Sequence, residues 1–254
     1  MKWCGTIDDD QRNLDINDDV KSLLIFGAHP DDIEFGCGGI VAQATQAGCR
    51  ADFIVTSLGE AASNGTPDQR RVEAETAANI LGASIEFIEL DGDSHLELRT
   101  QHSLRVAGII RRHRPSILLA PSCVENQHPD HSRLGKIVRD AARLARYGGL
   151  KELSEHGPHA IQQLFYYAVT PDGEPRDISP VLIDISAPTV VSAWTDAMNA
   201  HVSQASTRNY VELQLTRAKL LGTRAGVEFA MAVYPNDPMF FASIADAGRG
   251  ARKF

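Results

Sequence analysis

The chain is 254 residues long and 43% hydrophobic, enough to bury one substantial core, and nothing in it demands two domains. Its formal net charge of -8 leaves no basic stripe for a phosphate backbone, so nucleic acid is not an expected partner, and no apolar run approaches membrane-spanning length. Cys4, Cys37, Cys49 and Cys123 form neither a CxxC pair nor a disulfide framework, and they read as free thiols of a cytoplasmic protein.

Residues 1–20 contain no apolar signal segment and read as an N-terminal extension to a single domain over 21–254. From residue 21 to about 144, short β-rich apolar runs alternate with amphipathic stretches, the pattern of βα units around a mostly parallel sheet. Strands are predicted at 22–26, 51–57, 84–90 and 116–120. Helices are predicted at 38–47, 68–81 and 103–113, each followed by a breaker, Gly48, Gly82 or Pro115. A further helix runs from His131 to about 147, and 163–170 and 181–185 read as two more strands. Residues 188–205 and 210–226 read as helices, the first with Pro188 in its opening turn, before a tail from Pro235 rich in Pro, Gly and small residues. The expected fold class is α/β, a Rossmann-like three-layer domain with helices on both sides of the sheet.

Two tracts carry the chemistry. Ala28-His29-Pro30-Asp31-Asp32 follows the first strand, and His128-Pro129-Asp130-His131 follows the fourth, both at strand ends where α/β sheets place their sites. His29 and Asp32 sit in one turn entering a helix and can converge on one point. His131 is the best third ligand, and two imidazoles with one carboxylate leave a coordination position open on a catalytic metal. Asp31 points away from Asp32 and suits a general base toward water. His128, as an imidazolium, would support an oxyanion or a leaving amine, with Asp130 holding it by a carboxylate–imidazole hydrogen bond. Alone, either aspartate reads as an N-cap and either histidine as a solvated loop residue; two such tracts at two strand ends favour the metal reading. The ligand set accepts Zn2+ and also other divalent ions such as Fe2+.

The run Gly36-Cys37-Gly38-Gly39 departs from a dinucleotide fingerprint, because Val41 occupies the closing glycine position. Small residues that let a helix start lie close to the sheet account for it.

These residues resemble the LmbE-like, or PIG-L, family of zinc-dependent deacetylases, whose hallmarks are an AHPDD tract after the first strand and a later HPDH tract. The form of residues 28–39 looks most like the bacillithiol-pathway branch, and the resemblance extends through 56–61, 70–82, 90–93 and 201–204. By that resemblance His29, Asp32 and His131 would ligate zinc, Asp31 would be the base and His128 its electrophilic or acidic partner. Family members remove an acetyl or related acyl group from the amine of an amino sugar, and many assemble as homo-oligomers. Arg70 matches a substrate-binding arginine, with a solvated helix charge as the plainer reading. Glu60 and Asp93 match pocket loops, and His201 with Gln204 matches an H-x-S-Q segment at the pocket rim; capping carboxylates and a partly buried structural histidine are their plainer readings. Ile33 stands where many relatives carry Glu, and so does Met231, so any role of that second acid is absent here. Residues 151–160 fall outside the resemblance and suit a lid or an oligomer contact.

The expectation is a metal-dependent hydrolase acting on an N-acetylated amino sugar or its glycoside, a small-molecule partner. Two rivals stand beside it: an amidase acting on a thiol S-conjugate or an acylated natural-product precursor, and a non-catalytic sugar- or nucleotide-binding module. The full set Asp31, Asp32, His128 and His131 argues against the module.

Overall fold

The structure is a computed structural model that describes residues 21–125, 128–206 and 209–251; the N-terminal extension expected over 1–20 lies outside them. β1 (Ser22–Gly27), β2 (Arg50–Val55), β3 (Ser84–Phe87), β4 (Ile117–Pro121) and β5 (Gln163–Tyr167) pair in parallel. β7 (Ala230–Pro235) runs antiparallel between β5 and β6 (Val181–Asp184), giving the order β3-β2-β1-β4-β5-β7-β6. The expected mixed, mostly parallel α/β fold is the one observed.

β1 shows why the sheet is buried on both faces. Its continuous apolar run sends Leu24 and Phe26 into one core layer and Leu23 and Ile25 into the other. The first layer is closed by α3 (Thr100–His113) and α4 (Pro129–Ala145) through Val106, Ile110, Leu134 and Val138. The second is closed by α1 (Asp32–Gln46), α2 (Pro67–Ile80) and α5 (Pro188–Ala200) through Val41, Ala77 and Trp194.

Strand order reverses between β1 and β4. Chains leaving these two strands diverge to opposite sides and open a crevice at their carboxyl ends, the switch point at which open α/β sheets bind ligands. Both tracts emerge there.

α1 begins at Asp32, six residues earlier than the predicted start at Gly38. Glycines read as helix breakers, yet these serve close packing: a Cβ on Gly36 would lie 2.2 Å from the buried Tyr167 ring. β7 escaped the sequence reading because a strand of alternating small residues has no strong β signature, although Met231, Val233 and Tyr234 are all buried. Met231 faces the core, within 2.8 Å of where a Gly39 Cβ would stand, so its difference from the relatives' Glu bears on packing between β7 and α1.

The predicted helix 188–205 is broken at His201 into α5 and a short α6 (Val202–Ala205), followed by α7 (Tyr210–Ala225). Residues 151–160 are no lid. The buried Arg111 guanidinium, near the end of α3, donates to the carbonyls of Ala145 (3.0 Å), Tyr147 (2.6 Å), Leu153 and His156 (2.9 Å) and pins the segment there, and His159 meets Pro115 O beside the amino end of β4, the far end of that strand from the crevice. Among the described residues no helix is long and apolar enough to cross a membrane.

Candidate active site

The turn after β1 is built around Asp32. One carboxylate oxygen, Oδ2, accepts the backbone N–H groups of Ala28 (2.8 Å) and His29 (2.9 Å), so the side chain folds the tract back on itself. The other, Oδ1, faces His131 Nε2 at 3.0 Å. His131 lies in the first turn of α4, and its Nε2 stands 3.3 Å from His29 Nδ1, itself 3.5 Å from Asp32 Oδ2. Three buried donors from two distant loops therefore converge.

The donor set fits a divalent cation. Ligands at about 2.1 Å in a tetrahedron stand roughly 3.4 Å apart, and His131 Nε2 stands 3.0 Å from Asp32 Oδ1 and 3.3 Å from His29 Nδ1. Electrostatics agree. Burial opposes charge on His29, but Asp32, Asp130 and Asp93 outweigh it and hold its pKa well above the ordinary value, so the crevice floor demands positive charge.

His29 Nε2 faces the other way, 3.2 Å from Asp93 Oδ1 and 3.5 Å from Asp130 Oδ2. These carboxylates can take its second N–H and fix the ring with Nδ1 toward the ligand cluster. Asp130 thus differs from its expected role: its Oδ2 accepts Ser94 N at 2.7 Å and lies nearer His29 than His128, whose Nδ1 is 3.9 Å away. The reason is local. His128 is the N-cap of α4, and its Nδ1 accepts the Asp130 N–H at 3.3 Å, which leaves its proton on Nε2.

The imidazolium expected at His128 is not what its surroundings favour either. Partial burial, then the neighbouring His29 and His131 rings, lower its pKa, and with Nδ1 taken by the Asp130 N–H its Nε2 is the nitrogen left to donate. That nitrogen lies 3.4 Å from Ser94 Oγ, which in turn donates to Asp93 Oδ1 at 3.0 Å. Asp91, Gly92 and Ser94 all have positive φ, and this tightly wound loop aims Asp93 and Ser94 at the histidines. Sequence reasoning missed Ser94; its only signal was its place beside the Asp-Gly-Asp turn.

Asp31 occupies the N-cap position of α1 but caps nothing with its side chain. Its φ of 118° places a non-glycine residue in the left-handed region, at a cost of about 1–3 kcal/mol. The distortion turns its carboxylate into the pocket, where Arg70 Nη2 lies 3.4 Å from Oδ2. Burial pushes its pKa up to about 6, with Arg70 opposing and Asp32 adding to the shift. A carboxylate so placed is a stronger base than an exposed one.

Arg70 is buried and acts mainly on the protein. It donates to Pro30 O (2.7 Å) and Gly59 O (3.1 Å), tying the turn after β1 to the loop after β2. Glu60 is exposed and does not line the pocket; it accepts Leu58 N and Asp93 N, both at 2.9 Å, and clasps two loops together. Asp93 lines the pocket, although one oxygen faces His29 and the other accepts Ala61 N at 3.2 Å. Burial raises its pKa, but His29, Ser94 and Ala61 outweigh that and hold it low.

His201 is fully buried and does not reach the pocket rim. Its Nε2 lies 3.4 Å from Glu34 Oε2; burial opposes its charge, and Glu34 outweighs burial to raise its pKa. Breaking such a pair leaves an uncompensated buried charge, which costs about 3–5 kcal/mol. The His201→Ala protein is therefore expected to melt several degrees lower with its metal content intact. An unchanged melting temperature would contradict the buried pair.

The crevice encloses about 290 Å³ and is lined by Asp31, Arg70 and the histidines together with the apolar rings and side chains of Phe35, Val169 and Tyr210. A small polar molecule with an apolar appendage suits this mixture.

Residues 24–142 match the family model described as PIG-L: GlcNAc-PI de-N-acetylase. The chain is 29% identical over 200 residues to diacetylchitobiose deacetylase of Thermococcus kodakarensis, covering 73% of this chain and 71% of that protein. It is 30% identical over 153 residues to 4-oxalmesaconate hydratase of Pseudomonas putida, covering 56% and 58%. Among solved structures, the conserved protein TT1542 from Thermus thermophilus superposes with a TM-score of 0.76 at 29% identity, covering 89% of this chain and 99% of that one.

Proposed function

From the premise that the chain carries a PIG-L (LmbE-like) family domain, we propose that it is a zinc-dependent hydrolase that removes an acetyl group from the amine of an N-acetylated amino sugar. The observation that carries this reading is the convergence of His29, Asp32 and His131 with Asp31 beside them in the same small pocket. The free thiols Cys37, Cys49 and Cys123 accord with a cytoplasmic site of action.

His29 Nδ1, Asp32 Oδ1 and His131 Nε2 would hold the ion. Bound there, it would supply Lewis-acid polarisation of the acyl carbonyl and acidify water. The chain's own residues do the rest. Asp31 takes a proton from the attacking water and, as the carboxylic acid, returns it to the departing amine nitrogen. His128 offers its Nε2–H to the carbonyl oxygen as that atom gains negative charge, work that a neutral imidazole can do. Asp93 and Asp130 keep His29 oriented, and Arg70 holds the Asp31 turn in its strained form.

The hydratase among the relatives gives a second reading, addition of water across a carbon–carbon double bond of an acidic substrate. The pocket lining favours the first. Asp31, Asp32 and Asp93 offset the charge of Arg70 and of a bound divalent ion, and the one lining arginine is already engaged with two carbonyls and Asp31, so the described lining offers a dicarboxylate no free guanidinium. The test is acetate release from N-acetylglucosamine, its β-linked dimer and its simple glycosides by protein loaded with zinc or iron(II). Release from at least one is expected. No release from any, together with hydration of an unsaturated dicarboxylate, would reverse the assignment.

A further inference from the structure

The loop between β3 and α3 is held along its length. Asp91, at its outer end, accepts Glu97 N (3.1 Å) and Arg99 Nη1 (3.0 Å) and meets His102 Nε2 of α3 at 2.7 Å. Farther along, Asp93 N donates to Glu60 Oε1 (2.9 Å), the Asp93 carbonyl meets His95 Nδ1 at 2.7 Å, and Ser94 N donates to Asp130 Oδ2 (2.7 Å). The direction of the Ser94 side chain is therefore set by the whole loop.

Ser94 has a φ of 67°, in the left-handed region that glycine enters freely and serine does not. A glycine there would make the same backbone bond to Asp130 without the strain. What the serine adds is a hydroxyl in the pocket lining, 3.0 Å from Asp93 Oδ1 and 3.4 Å from His128 Nε2. These two contacts have a fixed polarity. A carboxylate oxygen only accepts, so the hydroxyl hydrogen goes to Asp93 and the Ser94 lone pairs are left for His128. His128 Nε2 then carries the proton, the same tautomer that the Asp130 N–H imposes from the other side of the ring. At 3.4 Å the bond is long enough for a carbonyl oxygen in the pocket to draw the N–H away while the ring keeps its place.

We propose that Ser94 is a positioning residue of the deacetylation: its hydroxyl, oriented by Asp93, holds the His128 ring and keeps the proton on Nε2, the atom offered to the acyl oxygen. This rests on the deacetylase reading, in which His128 supports the developing negative charge. A serine that served only the turn would leave His128 untouched when replaced.

Ser94→Gly separates the two roles, because it removes the hydroxyl and relieves the backbone at once. In zinc-loaded protein its melting temperature is expected to be unchanged or higher and its metal content unchanged. Its kcat for acetate release is expected to fall about 10- to 100-fold with little change in KM. Added to His128→Ala, it is expected to cost nothing further, since a residue that acts through His128 then has nothing to act on. NMR of the full chain with nitrogen-labelled histidine gives a readout that needs no substrate: the parent is expected to show His128 as one Nε2–H tautomer, and Ser94→Gly to broaden its ring signals. Full turnover by Ser94→Gly, losses that add in the double variant, or unaltered His128 signals would each overturn the proposal. A parent chain that releases no acetate from any amino sugar, beside that change in the His128 signals, fails the deacetylase reading alone.

Discussion

Replacing His131 with alanine is expected to remove the bound metal and the turnover together. His131 Nε2 stands 3.0 Å from Asp32 Oδ1 and 3.3 Å from His29 Nδ1, so its loss takes one of three donors and leaves a histidine and a carboxylate to hold a divalent ion alone. Removing even an outer partner of a metal ligand typically costs about 10–100-fold in affinity or activity, and removing a ligand itself costs more. Metal content after dialysis, measured by plasma mass spectrometry beside acetate release, checks this. The fold is expected to survive, because Leu134, Ile137 and Val138 anchor α4 in the core independently of its first turn. A His131→Ala protein that kept one equivalent of metal and its activity would end the proposed ligand set.

Asp31→Asn is expected to separate the two functions that His131 joins. The carboxylate of Asp31 stands outside the triad, and asparagine tolerates the left-handed backbone that this position imposes, so metal content and fold are expected to match the parent. Without a proton acceptor, turnover is expected to fall about 10²–10⁴-fold with a far smaller change in KM. Neutralising a buried acid whose pKa is already pushed up to about 6 is expected to leave the melting temperature unchanged or slightly higher. Full turnover by this variant on a true substrate would mean that another group takes the proton. Measuring both variants on one metal-loaded preparation distinguishes a failure of the metal site from a failure of the base.

The site residues divide by how far their roles depend on distant neighbours. His29 and Asp32 were legible because the local turn joins them, one residue supplying Nδ1 and the other folding its carboxylate under the same loop. His131 was legible from a strand end and a proline-opened helix. Asp93 lines the pocket as its loop suggested and His201 is the buried structural histidine of its plainer reading, whereas Asp130 lies nearer His29 than the His128 it was expected to hold, because its partner comes from another element. Arg70 and Glu60 were expected to touch substrate. Arg70 does line the pocket, but carbonyls of two loops each take a donor from its two terminal nitrogens, and backbone N–H groups of two loops occupy the carboxylate of Glu60.

By itself the sequence determined the βα alternation, the positions of both tracts at strand ends, and hence the family resemblance, since these rest on short-range periodicity and on residues within one turn of each other. Only the tertiary structure decided that strand order reverses between β1 and β4, that β7 lies inside the sheet, and that Asp130 lies nearer His29 than His128. Those outcomes depend on which loops meet across the crevice and on the burial and charge they create there, quantities that no local pattern encodes.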